Sequence, residues 1–190
     1  MITIYGLPRT GTNYLEFLVR NNLDIEYENK LVNKENTYLP NYRLSDKVSI
    51  KHSNPNLFNN DKVIIIIKEF PNFKNSFKKW NGKTTPKLTD NEIKEMYEIS
   101  LNDYLKYYDN NKKNMIIIFF EDLLNNETII IKKIGEKFNI KTNEKIIKTN
   151  KKMEANAGKT VLKTKFKFND LGKISFNKTY EKLKNISLKK

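Results

Sequence analysis

The 190-residue sequence contains no cysteine and a single histidine, His52. The first absence excludes disulfides and thiolate-held metals, and the second excludes a multi-histidine metal site built by one chain. Any enzyme here is expected to work without such a metal. Long apolar runs are missing as well: Val63 to Ile67 and Met115 to Phe120 are both far below the roughly 20 residues that span a bilayer. Met1 leads directly into a strand-like segment, without the basic flank and apolar stretch of a signal peptide, so a soluble, cytoplasmic protein is expected. Acidic residues are outnumbered, 22 against 36 basic ones, for a formal charge of +14. Such an excess suits an anionic partner, whether nucleic acid, a membrane surface or a phosphorylated ligand. Lys, Asn and Ile are abundant together throughout, however, as AT-rich coding would produce, and much of the charge is read as compositional.

The length suits one domain with a real core, and no internal repeat or domain boundary divides residues 1–190. Ile2 to Tyr5 is β-branched and aromatic and stops at Gly6, as a strand entering a turn does. From Thr12 the apolar residues Tyr14, Leu15, Leu18 and Val19 recur at helical spacing to about Asn22. Val48 to His52 is a short strand candidate. Val63 to Ile67 is apolar at every position, which fits a strand covered on both faces, and Lys68 stands at its carboxyl end. A helix is expected over Phe70 to Trp80, and Thr89-Asp90 offers caps for a long amphipathic one over Glu92 to Tyr108. Met115 to Phe120 reads as a second buried strand, followed by Glu121-Asp122 and a helix from about Asn126 to Phe138. Alternating helices and buried strands imply an α/β fold, a parallel central sheet flanked by helices on both faces. Residues 141 to 190 are lysine-rich and less periodic; from about 150 they are expected to fold back over the ligand site, with a last helix near Lys178 to Leu188.

In such a sheet, ligands gather beyond the carboxyl ends of the strands. The candidate chemistry is there. Gly6 to Gly11 has G-x-x-x-x-G spacing, in which glycines let backbone N–H groups approach an anion and the next helix adds its positive dipole end. A Walker loop would continue Lys-Ser or Lys-Thr. This sequence continues Thr12-Asn13 and carries its cation inside the loop, at Arg9.

Read as P-R-T-G-T-N-Y, the same stretch resembles the 5′-phosphosulfate-binding loop of sulfotransferases, P-K-S-G-T-T-W. Pro8, Gly11 and Thr12 match, Thr10 and Asn13 are polar replacements, Arg9 stands at the lysine position and Tyr14 at that of the adenine-stacking tryptophan. The family also holds the donor's 3′-phosphate with an arginine at the end of a buried strand and a serine eight positions later; here Lys68 and Ser76 occupy those places. Lysine replaces arginine, and Pro71 falls one place later than the family's R-D-P proline. Phe119 to Asn126, FFEDLLNN, is similar to the Y-E-D-L element after a core strand, where its role is structural. Lys51-His52 with Pro55 resembles K-T-H-x-P, in which histidine is the base and lysine assists at the sulfuryl group, although here the two residues are adjacent. Asn156-Ala157-Gly158-Lys159 is only a faint counterpart of the family's R-K-G-x-x-G-D motif.

The resemblance implies a P-loop-like sulfotransferase fold that uses 3′-phosphoadenylyl sulfate as donor, releases adenosine 3′,5′-bisphosphate and sulfates an unspecified hydroxyl or amine acceptor. Arg9, His52 and Lys51 would carry the chemistry, and Pro8 to Tyr14 with Lys68 and Ser76 would hold the nucleotide. Glu69 and Asp46 are alternative bases. Two other readings stay open. An apolar strand ending in Glu121-Asp122 also suits the magnesium carboxylate of a nucleotide triphosphatase or kinase. Tyr104 to Tyr108 and Lys163 to Phe168 interleave aromatics with lysine, as a nucleic-acid-binding module would, though amphipathic packing accounts for the first stretch and a nucleic-acid partner is not expected.

Overall fold

A computed structural model describes residues 2–25, 48–51, 62–81, 87–148, 151–153, 160–162 and 176–188. Four strands, β1 (Ile2–Tyr5), β2 (Val48–Lys51), β3 (Lys62–Ile67) and β4 (Met115–Phe119), form one sheet in the order β2-β1-β3-β4. Every pairing is parallel, with Tyr5 opposite both Lys51 and Ile65, and Ile65 opposite Ile117. The α/β class and the parallel sheet thus follow the expectation from the sequence.

Alternation along the strands divides the core. Ile2, Ile4, Ile64, Ile66, Ile116 and Ile118 face one layer, which contains α1 (Thr12–Asn22), the short α4 (Phe120–Asn125) and α5 (Glu127–Phe138). Tyr5, Val63, Ile65, Ile67, Ile117 and Phe119 face the other, made by α2 (Phe70–Asn81), α3 (Asp90–Asn111) and α6 (Lys178–Ile186). Ile64, Ile65 and Ile66 are completely buried, each contributing about 1.5–3 kcal/mol of transfer free energy. That double coverage is why β3 has no polar face.

Thr89 caps α3 as its sequence suggests: its hydroxyl accepts from the Glu92 N–H while the Glu92 carboxylate accepts from the Thr89 N–H, a complete capping box. Several boundaries differ from expectation: α3 runs to Asn111 rather than Tyr108, and α6 ends at Ile186 rather than Leu188. Phe120 opens α4 instead of closing β4, and Asn126, at φ −136°, separates α4 from α5. A second pair of strands, β5 (Lys151–Met153) and β6 (Thr160–Leu162), is antiparallel and separate from the main sheet. After α6 the chain turns extended, and the Leu188 N–H donates to the Ile117 carbonyl at 2.8 Å on the outer strand β4. Among the described residues no helix is long and apolar enough to cross a membrane.

The sheet order decides where a ligand can lie. The chain builds β2 on one side of β1, then returns to build β3 and β4 on the other. Crossovers therefore reverse between β1 and β3, and in sheets of this kind the crevice beyond the carboxyl ends of those two strands is the binding place. Gly6 follows β1 there, and Lys68 follows β3.

Candidate functional site

Gly6 begins the loop in close contact with the sheet. A Cβ at this position would stand 2.8 Å from the Ile66 carbonyl oxygen and 2.6 Å from Thr10 Oγ1, so only glycine lets the turn lie against β3. Thr10 closes the turn by donating to the Leu7 carbonyl twice, from its N–H at 3.2 Å and its hydroxyl at 2.7 Å. Its hydroxyl therefore works inside the loop. Arg9 and Gly11, on either side of it, both have left-handed backbones, at φ 74° and φ 98°. Left-handed residues alternating with ordinary ones make the concave backbone that cradles anions.

The N–H groups of Arg9, Gly11 and Thr12 donate to no other described residue, and α1 has neither a side-chain cap nor an acidic residue in its first turn. The positive end of the α1 dipole is thus left for something else to neutralise. Arg9 Nε is buried and has no hydrogen-bond partner among the described residues. A non-glycine residue at positive φ costs on the order of 1–3 kcal/mol and is characteristic of ligand-holding backbone.

At the end of β3, Lys68 is 7% exposed, and its Nζ lies 4.5 Å from the centre of the Phe120 ring. That ring also packs against Gly11. Loop, β3 end and α4 start are consequently joined through one phenyl group, a contact that sequence spacing does not reveal.

The α6 side of the same edge has the opposite charge. Glu121 is buried; one carboxylate oxygen accepts from the Glu69 N–H at 3.1 Å and the other from the Asn72 amide at 3.0 Å. Burial pushes the Glu121 carboxyl above its ordinary value, against the pull of those hydrogen bonds. Lys184 of α6 bridges Glu69 at 3.1 Å and Asp122 at 3.3 Å, its ammonium 4.1 Å from the centre of the Phe119 ring. Tyr97 donates from its hydroxyl to the Lys68 carbonyl at 2.8 Å, and burial raises that phenol well above its usual range. These contacts tie the residues after β3 and β4 to α2, α3 and α6.

The residues singled out from sequence are distributed as follows. Pro8, Arg9, Thr10, Gly11, Thr12 and Asn13 lie in the loop and the start of α1, with Thr10 and Thr12 buried. Tyr14 lies elsewhere: it is 7% exposed in the α1-side core, packs edge-on to Phe120 and donates to the buried Glu127. Its ring serves the core and offers no open face to a base. Helical spacing already groups it with Leu15 and Leu18. Ser76 is half-buried on α2, beside Phe73 and Phe77 of the α3-side core. Lys51 ends β2 opposite Tyr5. His52, Asp46, Asn156 to Lys159 and Lys163 to Phe168 lie outside the described residues. Tyr104 and Tyr107, candidates for base stacking, are buried in the α3-side core. No motif marks Lys184 or Asn72, and the nearest partner of the Lys184 ammonium lies 62 residues away in sequence.

No family model matches this chain, and no curated protein matches it.

Proposed function

We propose that the protein is a sulfotransferase that takes a sulfuryl group from 3′-phosphoadenylyl sulfate to a hydroxyl acceptor, and that the Gly6 to Gly11 loop holds the donor's 5′-phosphosulfate. The observation that carries this reading is the uncapped loop. It offers the N–H groups of Arg9, Gly11 and Thr12, without described partners, at the helix end beside the β1/β3 reversal, where an anion is favoured by both geometry and dipole.

In the proposed reaction the acceptor oxygen attacks sulfur in line. The bond from sulfur to the 5′-phosphate oxygen breaks, and the electron pair leaves with the phosphate. Charge therefore grows on the group that the loop cradles, where fixed donors stabilise the transition state more than the ground state. Arg9 adds its guanidinium. The acceptor's proton goes to a base, for which His52, the next residue after β2, is the candidate. Glu69 suits that task less well, since its carboxylate is paired with Lys184.

A magnesium-dependent triphosphate reading finds less support in the acidic pair. Glu121 is engaged by Glu69 and Asn72, and Asp122 by Lys184, so both carboxylates already serve the fold. Calorimetric titration separates the two. Adenosine 3′,5′-bisphosphate is expected to bind more tightly than ATP with magnesium, and labelled donor to pass its sulfuryl group to a panel of hydroxyl acceptors. Arg9→Ala should weaken bisphosphate binding by about tenfold or more, the size of one charge-assisted contact. Tighter binding of ATP would overturn the assignment.

A further inference from the structure

Lys68 and Ser76 are the pair that the sequence resemblance would place on the donor's 3′-phosphate. The fold associates them with different core layers. On β3 the even-numbered Ile64 and Ile66 enter the α1-side core and the odd-numbered Val63, Ile65 and Ile67 the α3-side core. Lys68 continues the even series, and its ammonium lies over Phe120, a member of the α1-side core whose ring also packs against Gly11. The next residue, Glu69, reaches to the other side, to Lys184 of α6. Ser76 is on α2, whose Phe73 and Phe77 pack in the α3-side core. The aromatic ring that lies beneath the loop's second glycine thus also positions the lysine, while the serine belongs to the opposite layer.

We infer that Lys68 acts on the anion held by the Gly6 to Gly11 loop, as the cation that a triphosphatase would carry on the first turn of α1, and does not join Ser76 at a 3′-phosphate. The inference rests on the sulfuryl-donor reading. In it the Lys68 ammonium approaches from the neighbouring strand and, with Arg9, stabilises negative charge on the 5′-phosphate as the bond to sulfur breaks. It stays protonated throughout; the acceptor's proton is taken by the separate base. Being 7% exposed and seated on a ring, the ammonium is fixed before the ligand arrives, which suits a group that must act at one atom.

The test compares adenosine 5′-phosphate, adenosine 3′-phosphate and adenosine 3′,5′-bisphosphate by calorimetry on the full chain, on Lys68→Met and on Ser76→Ala. Lys68→Met is expected to weaken the 5′-phosphate and the bisphosphate by the same factor, about tenfold or more, and to leave the 3′-phosphate unchanged. Should the methionine variant fail to fold, Lys68→Gln is read on the same ligands, with thermal melting as the control. If Lys68→Met spares the 5′-phosphate and removes only the advantage that the bisphosphate gains from its 3′-phosphate, the inference is overturned and the donor reading stands. Wild-type protein that binds none of the three overturns both.

Discussion

Phe120 is fitted to the absence of a side chain at Gly11: a Cβ there would stand 2.3 Å from the phenyl Cδ2 and 2.5 Å from Cε2. The same glycine has φ 98°, so two separate costs attach to replacing it. Gly11→Ala is expected to lose on the order of 1–2 kcal/mol from the left-handed backbone, with a further loss from displacing the ring. Phe120→Ala alone should cost about 3–5 kcal/mol. Since removing the ring also removes the clash, the double variant should lose less than the sum, by 0.5 kcal/mol or more as expected for touching residues. Urea denaturation of the four proteins measures this directly, and strict additivity would contradict the contact.

Glu121 sets a pH dependence whose sign follows from its burial. The carboxyl is raised above its ordinary 4.5 in the folded protein, so the folded state holds that proton more tightly than the unfolded state does. Its contribution to stability is then fully present below the unfolded value and declines as pH rises from about 4.5 through the raised folded value. Glu121→Gln cannot ionise and should lack this decline. Between about pH 4 and 8 the wild type is expected to lose stability relative to the variant as pH rises; parallel profiles would show that Glu121 is not the titrating group.

Lys184→Met keeps the stem against Phe119 and removes the charge between Glu69 and Asp122. The three side chains are 22%, 35% and 29% exposed, so solvent screens these pairs and each contributes at most about 1 kcal/mol, with about 0.5–1 kcal/mol more from the ammonium over the ring. A loss of roughly 1–2 kcal/mol is expected at low ionic strength. It should shrink in 1 M salt, where the screening length falls to about 3 Å. A deficit independent of salt would assign the role of Lys184 to packing.

What could be read from sequence is what depends on near neighbours. The unbroken Val63 to Ile67 run specified a two-sided burial that the sheet confirms, Gly6 and Gly11 marked a tight strand-to-helix turn, and Thr89 with Glu92 marked a helix start. What escaped depends on side chains meeting across the fold. Lys184 reaches Glu69 over 115 positions, and Phe120 touches Gly11 only because α4 begins where β4 stops. Tyr14 is instructive in another way. A motif position suggested a base-stacking ring, whereas its helical spacing with Leu15 and Leu18 pointed to the core, and packing decided in favour of spacing.

The hydrogen bond from Leu188 to Ile117 bears on self-association as well as on the fold. Among the described residues strand β4 is the outer strand on its side of the sheet, and an unpaired outer strand is a template for another chain. An intramolecular donor competes for that carbonyl at an effective concentration of millimolar order, so a second molecule must first displace the segment after α6. Holding α6 in place, as Lys184 does, is therefore also a barrier to edge-to-edge assembly.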